Sequence, residues 1–176
     1  MTIAHEPFLP GPSTVEDRNR QGAVGRVEAI HVTGTAGAPM RPVGRIRAIA
    51  GVGLDGDRYA TGVGFYSHNR KVDRQVTLIA VEELERLAAV EGIELSAAES
   101  RRNVLTRGID VNALLGRRFR IGDVECEGTR LCEPCQYLAD LVDKPVLAPL
   151  VHRAGLRARI LTGGELAVGD EVVPLD

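Results

Sequence analysis

The stretch RRFRIGDVECEGTRLCEPCQYLADL (Arg117–Leu141) indicates the fold class of this chain. Its first part has two segments of alternating apolar and polar residues, Arg117–Ile121 and Val124–Thr129, on either side of Gly122-Asp123. Alternation is typical of a half-buried strand, and a two-residue connection of this kind favours a β-hairpin. The second part predicts a helix over Glu133–Leu141. The stretch therefore predicts antiparallel β-structure that leads into a helix.

Short alternating segments continue on both sides of this hairpin and are separated by glycine and proline. The clearest helix covers Val81–Glu91, with Gly92 placed to end it. Ser96 and Glu99 have the spacing of a capping box and predict a second short helix. Many short strands with few helices predict a mainly β fold with helical insertions, arranged as an antiparallel barrel. The other predicted strands are Gly25–Thr33, Pro42–Ile49, Arg74–Ala80, Val104–Thr106, Leu156–Leu161, Glu165–Val168 and Glu171–Val173.

Length and composition limit the classes of function. The 176 residues fit one domain, and we expect residues 1–22 to be a flexible N-terminal tail and residues 23–176 to be the barrel domain. The net charge of −2 argues against nucleic acid as the main partner. No apolar run approaches the ~18–20 residues that span a bilayer, and the first residues do not resemble a secretory signal. Three cysteines in such a chain do not form a disulfide framework, so we expect a cytoplasmic protein.

The stretch CEPC (residues 132–135) gathers two of the three cysteines into four residues. Thiolate is the nucleophile and the metal ligand, and Arg130 together with the predicted helix start favours an anion here. Four interpretations stay open: half of a zinc knuckle, a dithiol redox pair, one working thiol with a structural or resolving neighbour, and two inert buried thiols. We expect any chemistry at Cys135 or Cys132, and we expect Cys126 to be a small buried hydrophobe.

Several cationic residues accompany the cysteines. Guanidinium groups that converge on a cleft bind phosphate or carboxylate, whereas isolated ones are solvated surface charges. Histidine titrates near neutrality, so His152 is a candidate to assist a thiol, with a hydrogen-bonded wall residue as the alternative. The glycine-rich turn 51–57 lacks the ending of a phosphate loop, and Asp55, Asp57 and Arg58 either line a pocket or shape the loop. The candidate cationic segments contain Arg101, Arg102 and Asn103, then Arg130, and then Arg153, Arg157 and Arg159.

Seven stretches, taken together and in order, resemble the MOSC domain, the family named after the C-terminal domain of molybdenum cofactor sulfurase. They cover roughly residues 24–174, and the chain is similar to the small stand-alone bacterial members. The stretches are GLDGDRYA (53–60), RQVTLI (74–79), RRNVLTRGID (101–110), LLGRRFRIGDV (114–124), RLCEPCQYL (130–138), HRAGLRARIL (152–161) and GDEV (169–172).

The resemblance implies a β-barrel related to the inserted domain of pyruvate kinase, and a cysteine that carries sulfur or holds molybdenum cofactor (molybdopterin) through its thiolate. The family's key cysteine corresponds to Cys135, which makes it the implied catalytic residue and molybdenum ligand. Cys132 corresponds to a second cysteine found in some members, and His152 belongs to a segment that lines the same pocket. The resemblance implies cofactor binding at Arg101, Arg102 and Asn103 and places Arg153 in the same pocket. Arg130 and Asp57 are further candidate cofactor-binding residues, from the reading of the residues themselves.

The resemblance leaves three functions open. One is a molybdenum-dependent reductase of N-hydroxylated compounds, or a sulfur carrier, with an electron-donor protein or a cysteine desulfurase as partner. The second is a non-catalytic module that delivers cofactor or sulfur to an apo-enzyme. The third is a thiol–disulfide oxidoreductase that uses Cys132 and Cys135.

Overall fold

The structure, a computed structural model, describes residues 23–67 and 72–175. The predicted tail, residues 1–22, lies outside this range. The helices are α1 (Val81–Glu91) and α2 (Gln136–Val142), with short 3-10 helices at Val72–Arg74 and Val111–Leu114. The strands are β1 (Gly25–Val32), β2 (Arg41–Val43), β3 (Arg45–Ile49), β4 (Gly53–Leu54), β5 (Val76–Ala80), β6 (Val104–Arg107), β7 (Arg118–Ile121), β8 (Val124–Leu131), β9 (Leu156–Ile160), β10 (Gly164–Ala167) and β11 (Glu171–Pro174).

Seven strands close into a barrel in the order β11-β7-β8-β9-β5-β6-β1, because β1 also pairs with β11. Neighbours in the barrel are antiparallel except β5 and β6, which run parallel and are connected through α1. Closure pairs each barrel strand on both sides, which removes free sheet edges. Strand β2 extends from β1 beyond the ring, and β10, β3 and β4 form a separate small sheet. The predicted mainly β barrel with helical insertions is confirmed.

The barrel interior is filled by branched aliphatic side chains. Along the β7–β8 hairpin, Phe119, Ile121, Val124 and Cys126 are fully buried, whereas the intervening arginines of β7 are exposed. Each such large apolar side chain contributes about 1.5–3 kcal/mol when it leaves water. The hairpin forms at the expected position, and its alternation points one set of side chains into the core.

A second apolar cluster lies outside the barrel and positions the cysteine helix. It joins Leu84 and Leu87 of α1 to Leu138 of α2, and it covers Ile79 and Leu105 on the outer face of β5 and β6. Helix α1 has the predicted bounds, and Gly92 ends it in the left-handed conformation with φ 67°. The N-terminus of α2 is thereby fixed against one end of the barrel.

The helix predicted over Glu133–Leu141 is wrong at its start, because α2 begins at Gln136. Pro134 disfavours a helical backbone at the residue before it, and Cys135 itself is extended, with φ −139° and ψ 160°. The two cysteines therefore lie on an extended segment before the helix. With this start α2 has only seven residues.

Two other predicted elements differ from the structure. The strand expected over Pro42–Ile49 is divided at Gly44 into β2 and β3, which belong to different sheets. The Ser96–Glu99 capping box forms, with reciprocal bonds of 2.8 Å and 3.2 Å, but residues 97–101 make turns instead of a helix. In the described ranges, neither helix has the length and apolar character needed to cross a bilayer.

Gly155 allows β9 to approach β5 next to the cysteine segment. Its φ is +97°, and a Cβ atom there would lie 2.0 Å from the carbonyl oxygen of Leu78 in β5. Gly155→Ala combines an unfavourable φ with a backbone clash, so we expect it to lower the free energy of unfolding by about 3 kcal/mol or more. Urea denaturation followed by circular dichroism measures this.

The matched control is Gly116→Ala, since Gly116 also has a positive φ of 73° but has open space around a Cβ. Gly116→Ala should lower the free energy of unfolding only through its unfavourable φ, by roughly 1–2 kcal/mol. Equal losses in the two variants would show that the close approach to Leu78 is not a constraint.

Candidate functional site

The cysteine segment leaves β8 and is fixed to the barrel at its first residue. The backbone N–H of Cys132 donates to the carbonyl of Gly155 at 2.7 Å, and Cys132 is 2% exposed. Cys135 is half-buried, and its carbonyl accepts bonds from Leu138 and Ala139 at the start of α2. Of these two thiols, only that of Cys135 is open to a molecule from solvent.

Both cysteines line an open cleft at the end of the barrel. Most of its side chains come from the loop after β4, the segment before β6, and the cysteine segment with α2, and others come from β9 and from β5 with the 3-10 helix before it. The lining includes Cys132, Glu133 and Cys135, five arginines (Arg58, Arg74, Arg101, Arg102 and Arg157) and four aromatic residues (Tyr59, Phe65, Tyr66 and Tyr137).

Arg101 and Arg102 are brought to the cleft, as the sequence predicts, and both are held by backbone carbonyls. Arg101 Nη1 donates to Ala38 O at 2.5 Å, and Arg102 Nε donates to Ala154 O at 2.7 Å. Burial, and then the charge of Arg58, lower the pKa of Arg101. A guanidinium has five N–H donors, so these bonds fix the side chains and leave further donors for a ligand.

Asp57 and Asn103 lie behind the cleft and support it. The carboxylate of Asp57 is 2% exposed and accepts from Arg58 Nη1 and Asn103 Nδ2, each at 3.2 Å, and from the backbone N–H of Tyr59 at 3.1 Å. Asn103 also accepts from Thr77 Oγ1 at 3.0 Å. The structure thus gives Asp57 a loop-shaping position and makes Arg58 part of the cleft wall.

Arg74 and Arg157 place two more guanidiniums in the cleft around one carboxylate. Arg74 Nε lies 3.9 Å and Arg157 Nη1 lies 3.8 Å from the carboxylate of Asp73. Among the described residues, these two buried nitrogen atoms have no hydrogen-bond partner. Two cations share one anion, so this corner of the cleft has a surplus of positive charge.

The aromatic residues are concentrated at this cleft. The chain has three Phe and three Tyr, and four of these six line the cleft. Phe65 and Tyr137 are stacked with ring centroids 4.0 Å apart, and Tyr66 meets Phe65 edge-on at 4.8 Å. Such stacked and edge-on pairs favour a firm apolar wall. A flat ring system can lie against this wall beside Cys135.

His152 and Arg153 lie in a neighbouring groove. Arg153 Nη1 is 3.2 Å from both carboxylate oxygens of Glu83, and the side chain of His152 is 75% exposed. His152 contacts the cysteine segment through Glu133, whose carboxylate accepts from the His152 backbone N–H at 2.9 Å and lies 2.6 Å from ring Nδ1. The structure therefore does not bring His152 to the thiols. Glu133 lies between His152 and the cleft that holds the two cysteines.

Two further residues named from the sequence, Arg130 and Cys126, lie away from the cleft. Arg130 is exposed on β8 and is not among the residues that line the cleft. Cys126 is fully buried in the barrel, where burial raises the pKa of its thiol to about 12, with a further contribution from the charge of Glu125. Its expected place as a small core residue is confirmed.

Arg58, which the sequence offers as a pocket or loop residue, lines the cleft, whereas sequence reasoning missed Arg74 and the aromatic wall. Arg74 belongs to the RQVTLI stretch, but nothing in the spacing shows that this stretch meets Cys135. The scarcity of Phe and Tyr was visible, although the grouping of most of them is a tertiary property. Within residues 23–67 and 72–175, no three His, Cys, Asp or Glu side chains converge as a metal cage.

A scan against protein-family models matches residues 65–173 to the MOSC domain. This match covers more than half of the 176 residues, and the chain belongs to the MOSC domain family. The family is associated with molybdenum cofactor binding. A search of curated proteins finds no match.

Solved structures support the same fold. The YuaD protein from Bacillus subtilis has a TM-score of 0.72 at 18% identity, over 87% of this chain and 97% of that chain. YiiM from Geobacillus stearothermophilus has a TM-score of 0.65 at 15% identity, over 86% of this chain and 75% of that chain. YiiM from Escherichia coli has a TM-score of 0.61 at 17% identity, over 86% of this chain and 70% of that chain. The barrel is therefore the fold of these proteins.

The Glu133–His152 contact predicts a pH-dependent contribution to stability. Burial raises the pKa of Glu133. Hydrogen bonds from His152 and the charges of His152 and Arg130 lower it by more, so the pKa lies below its ordinary value. A carboxylate with a lowered pKa stabilises the fold above its unfolded pKa, and this stabilisation is lost as pH falls through the folded value. Because the Glu133 side chain is 42% exposed and its ion pair is screened by water, we expect a contribution of about 0.2–1 kcal/mol to the free energy of unfolding.

Glu133→Gln should lower Tm at pH 6 by roughly 1–3 °C, and the difference should vanish as pH falls below the folded pKa. Thermal unfolding over a pH series measures this. Glu165→Gln is the control, because Glu165 pairs at 3.2 Å with Arg45 in the separate small sheet and both side chains are more than half exposed. A Glu133→Gln difference that does not change with pH would contradict the assignment.

Proposed function

We propose that this chain binds molybdenum cofactor in the cysteine cleft and that the thiolate of Cys135 is the protein's ligand to the metal. One observation carries the proposal: the accessible thiol shares a single cleft with five arginines and four aromatic rings. The membership of the MOSC family supports it. Roles of individual residues follow from their positions in this cleft.

The side chains present fit the chemistry of the cofactor. A soft thiolate suits molybdenum, which also takes the two sulfur atoms of the pterin's dithiolene, so one protein sulfur is enough. The flat pterin matches the stacked wall of Phe65 and Tyr137. The phosphate matches guanidinium groups, which bind it through paired N–H donors. The lining of the cleft offers each of these three partners.

We assign the anionic end of the cofactor to Arg101 and Arg102, as the sequence suggests, together with Arg157 and Arg74. The latter pair supplies the surplus positive charge beside Asp73. Asp57 and Asn103 hold the cleft wall without lining it. Arg130 and Arg153 contribute no cleft contact in this assignment, and His152 acts by holding Glu133.

The bound cofactor would supply electron transfer at the metal, which suits reduction of N-hydroxylated compounds with an external electron-donor protein. In that reaction the residues of this chain hold the cofactor and shape the space beside it. A sulfur carrier fed by a cysteine desulfurase would use the same thiol, but it does not need a phosphate site. The arginines of the cleft therefore favour the cofactor. A delivery module would bind the cofactor equally and show no turnover.

A dithiol redox function has less support. Cys132 is 2% exposed, so its thiol is poorly placed to exchange with the disulfide of an external substrate. In that function, loss of either cysteine would abolish activity. In the proposed cofactor-binding function, Cys132→Ala should keep the cofactor and Cys135→Ala should lose it.

The direct test is elemental analysis of chain loaded with molybdenum cofactor. Wild type should hold near-stoichiometric molybdenum, and Cys135→Ala should fall to the background level because its thiolate ligand is absent. Cys126→Ala is the matched control, since Cys126 is buried in the barrel away from the cleft. It should keep its molybdenum.

Retention of molybdenum by Cys135→Ala would overturn the thiolate assignment. Absence of molybdenum from the wild type would overturn cofactor binding and leave sulfur transfer as the better account. Turnover with an N-hydroxylated substrate and a reductant then separates an enzyme from a delivery module.

Arg157→Gln tests the anion site with a matched control on the same strand. Arg157 lines the cleft, whereas Arg159, two residues further along β9, is 2.6 Å from Glu127 and lies outside it. Loss of one charge-assisted hydrogen bond should weaken cofactor retention by roughly tenfold. Molybdenum that remains after gel filtration at rising phosphate concentration measures this. Arg159→Gln should behave as wild type, and equal losses in both variants would contradict a local anion site.

A further inference from the structure

The cysteine cleft is open to solvent but narrow. The free space within it is about 70 Å³, which holds only a few water molecules. Pockets that bind cofactors and other small molecules usually have roughly 300–1,000 Å³. A flat fused ring system such as a pterin therefore reaches the space beside Cys135 only after a side chain of the cleft wall has moved.

Phe65 is the member of the aromatic wall that is best placed to move. Its ring is stacked on that of Tyr137, with centroids 4.0 Å apart and planes at 14°, and it meets Tyr66 edge-on at 4.8 Å. The wall is firm while this stack is closed. Phe65 is nevertheless 47% exposed, more than the three tyrosines of the wall, so its ring gives up little burial when it turns outward. One aromatic pair shifts an equilibrium by only roughly two- to twelvefold.

The backbone around Phe65 is fixed, which confines the movement to its side chain. The turn that carries Phe65 is closed twice: the N–H of Ser67 donates to the carbonyl of Gly64, and the N–H of Gly64 donates to Ser67 Oγ, each at 2.9 Å. The carbonyl of the next residue, Tyr66, accepts a bond of 2.9 Å from Arg74 Nη1. The Phe65 ring itself is apolar, so no hydrogen bond holds it in the closed position.

We propose that Phe65 is the gate of the cysteine cleft: its ring closes the cleft against Tyr137 in the empty chain and turns outward to let a flat ligand insert between the two rings. Rings with centroids 4.0 Å apart are in contact, and a third ring between them needs roughly twice that separation. Tyr137 is the fixed side, because the next residue, Leu138, is buried in the second apolar cluster. The identity of the inserted ring rests on the proposed function, whereas the gate itself does not.

Two thiol reagents of different size test the gate through access to Cys135 in the unloaded chain. Iodoacetamide is small and should react at similar rates in wild type and in Phe65→Ala. Fluorescein maleimide carries a flat fused ring system, and Phe65→Ala should accelerate its reaction by roughly fivefold, within the range that one aromatic pair sets. Peptide mass spectrometry at a single pH follows Cys135 apart from the other cysteines. The ratio of the two rates removes any change in the reactivity of the thiol itself.

Val63→Ala is the matched control for this experiment. Val63 lies on the same loop, is 51% exposed and is not among the residues that line the cleft. Its ratio of the two rates should equal that of wild type. An unchanged ratio in Phe65→Ala, or an equal rise in both variants, would overturn the gate.

Phe65→Trp gives a second readout, because the chain contains no tryptophan and the introduced indole is the only one. Free pterin is the probe, and its binding is measured separately by calorimetry. Insertion between the rings should quench the indole emission along the same binding curve. A pterin that binds without changing this emission would overturn the insertion. A pterin that does not bind would count against the proposed function, while the ratio of alkylation rates still decides the gate.

Discussion

The cleft depends on the ion pair and hydrogen bonds of the buried Asp57 carboxylate. The carboxylate lies with Arg58 in an ion pair whose side chains are 2% and 6% exposed, and it also accepts bonds from Asn103 and from the backbone of Tyr59. Burying a charge is costly unless it is paired and hydrogen-bonded, and removal of one partner leaves the other uncompensated. The four donors to Asp57, which include a longer contact from the Thr33 backbone at 3.5 Å, meet that requirement.

These bonds connect three separate parts of the chain. Arg58 Nη2 donates to the carbonyl of Arg101 at 3.3 Å, and Asn103 Nδ2 donates to the carbonyl of His31 at 3.2 Å. The loop after β4 is thereby tied to the end of β1 and to the segment before β6. Arg101 adopts a left-handed backbone with φ 63°, which costs about 1–3 kcal/mol in a residue other than glycine. The network around Asp57 stabilises that conformation and directs Arg101 into the cleft.

The barrel could be predicted because its signals are local. Alternation in Val124–Thr129 and the two-residue Gly122-Asp123 connection depend only on neighbouring residues, and they locate the hairpin, although β8 continues to Leu131. The start of α2 could not be located in the same way, because a cysteine pair ahead of an apolar run resembles a helix terminus. The steric effect of Pro134 on the residue before it is stronger, and it keeps Glu133 out of the helix.

The site was predictable in part. Cys132 and Cys135 are close to each other in sequence, as are Arg101 and Arg102, and the two pairs meet in the cleft. Arg58, Arg74 and the aromatic wall reach the cleft only through the closure of the barrel and the hydrogen bonds of Asp57. His152 and Arg153 follow Cys135 by fewer than twenty residues, yet the intervening turns carry them to a different groove, where Arg153 meets Glu83. Closeness in sequence therefore does not show which of two neighbouring grooves a residue lines.

X-ray absorption at the molybdenum edge tests the central claim most directly, in loaded chain that carries selenocysteine in place of Cys135. Selenium is a heavier scatterer than sulfur, so a direct bond from the metal to residue 135 gives its own signal. The account predicts a molybdenum–selenium contact in this protein and none when Cys132 is replaced in the same way. A bound cofactor whose molybdenum has no selenium neighbour in the first protein would contradict thiolate ligation by Cys135.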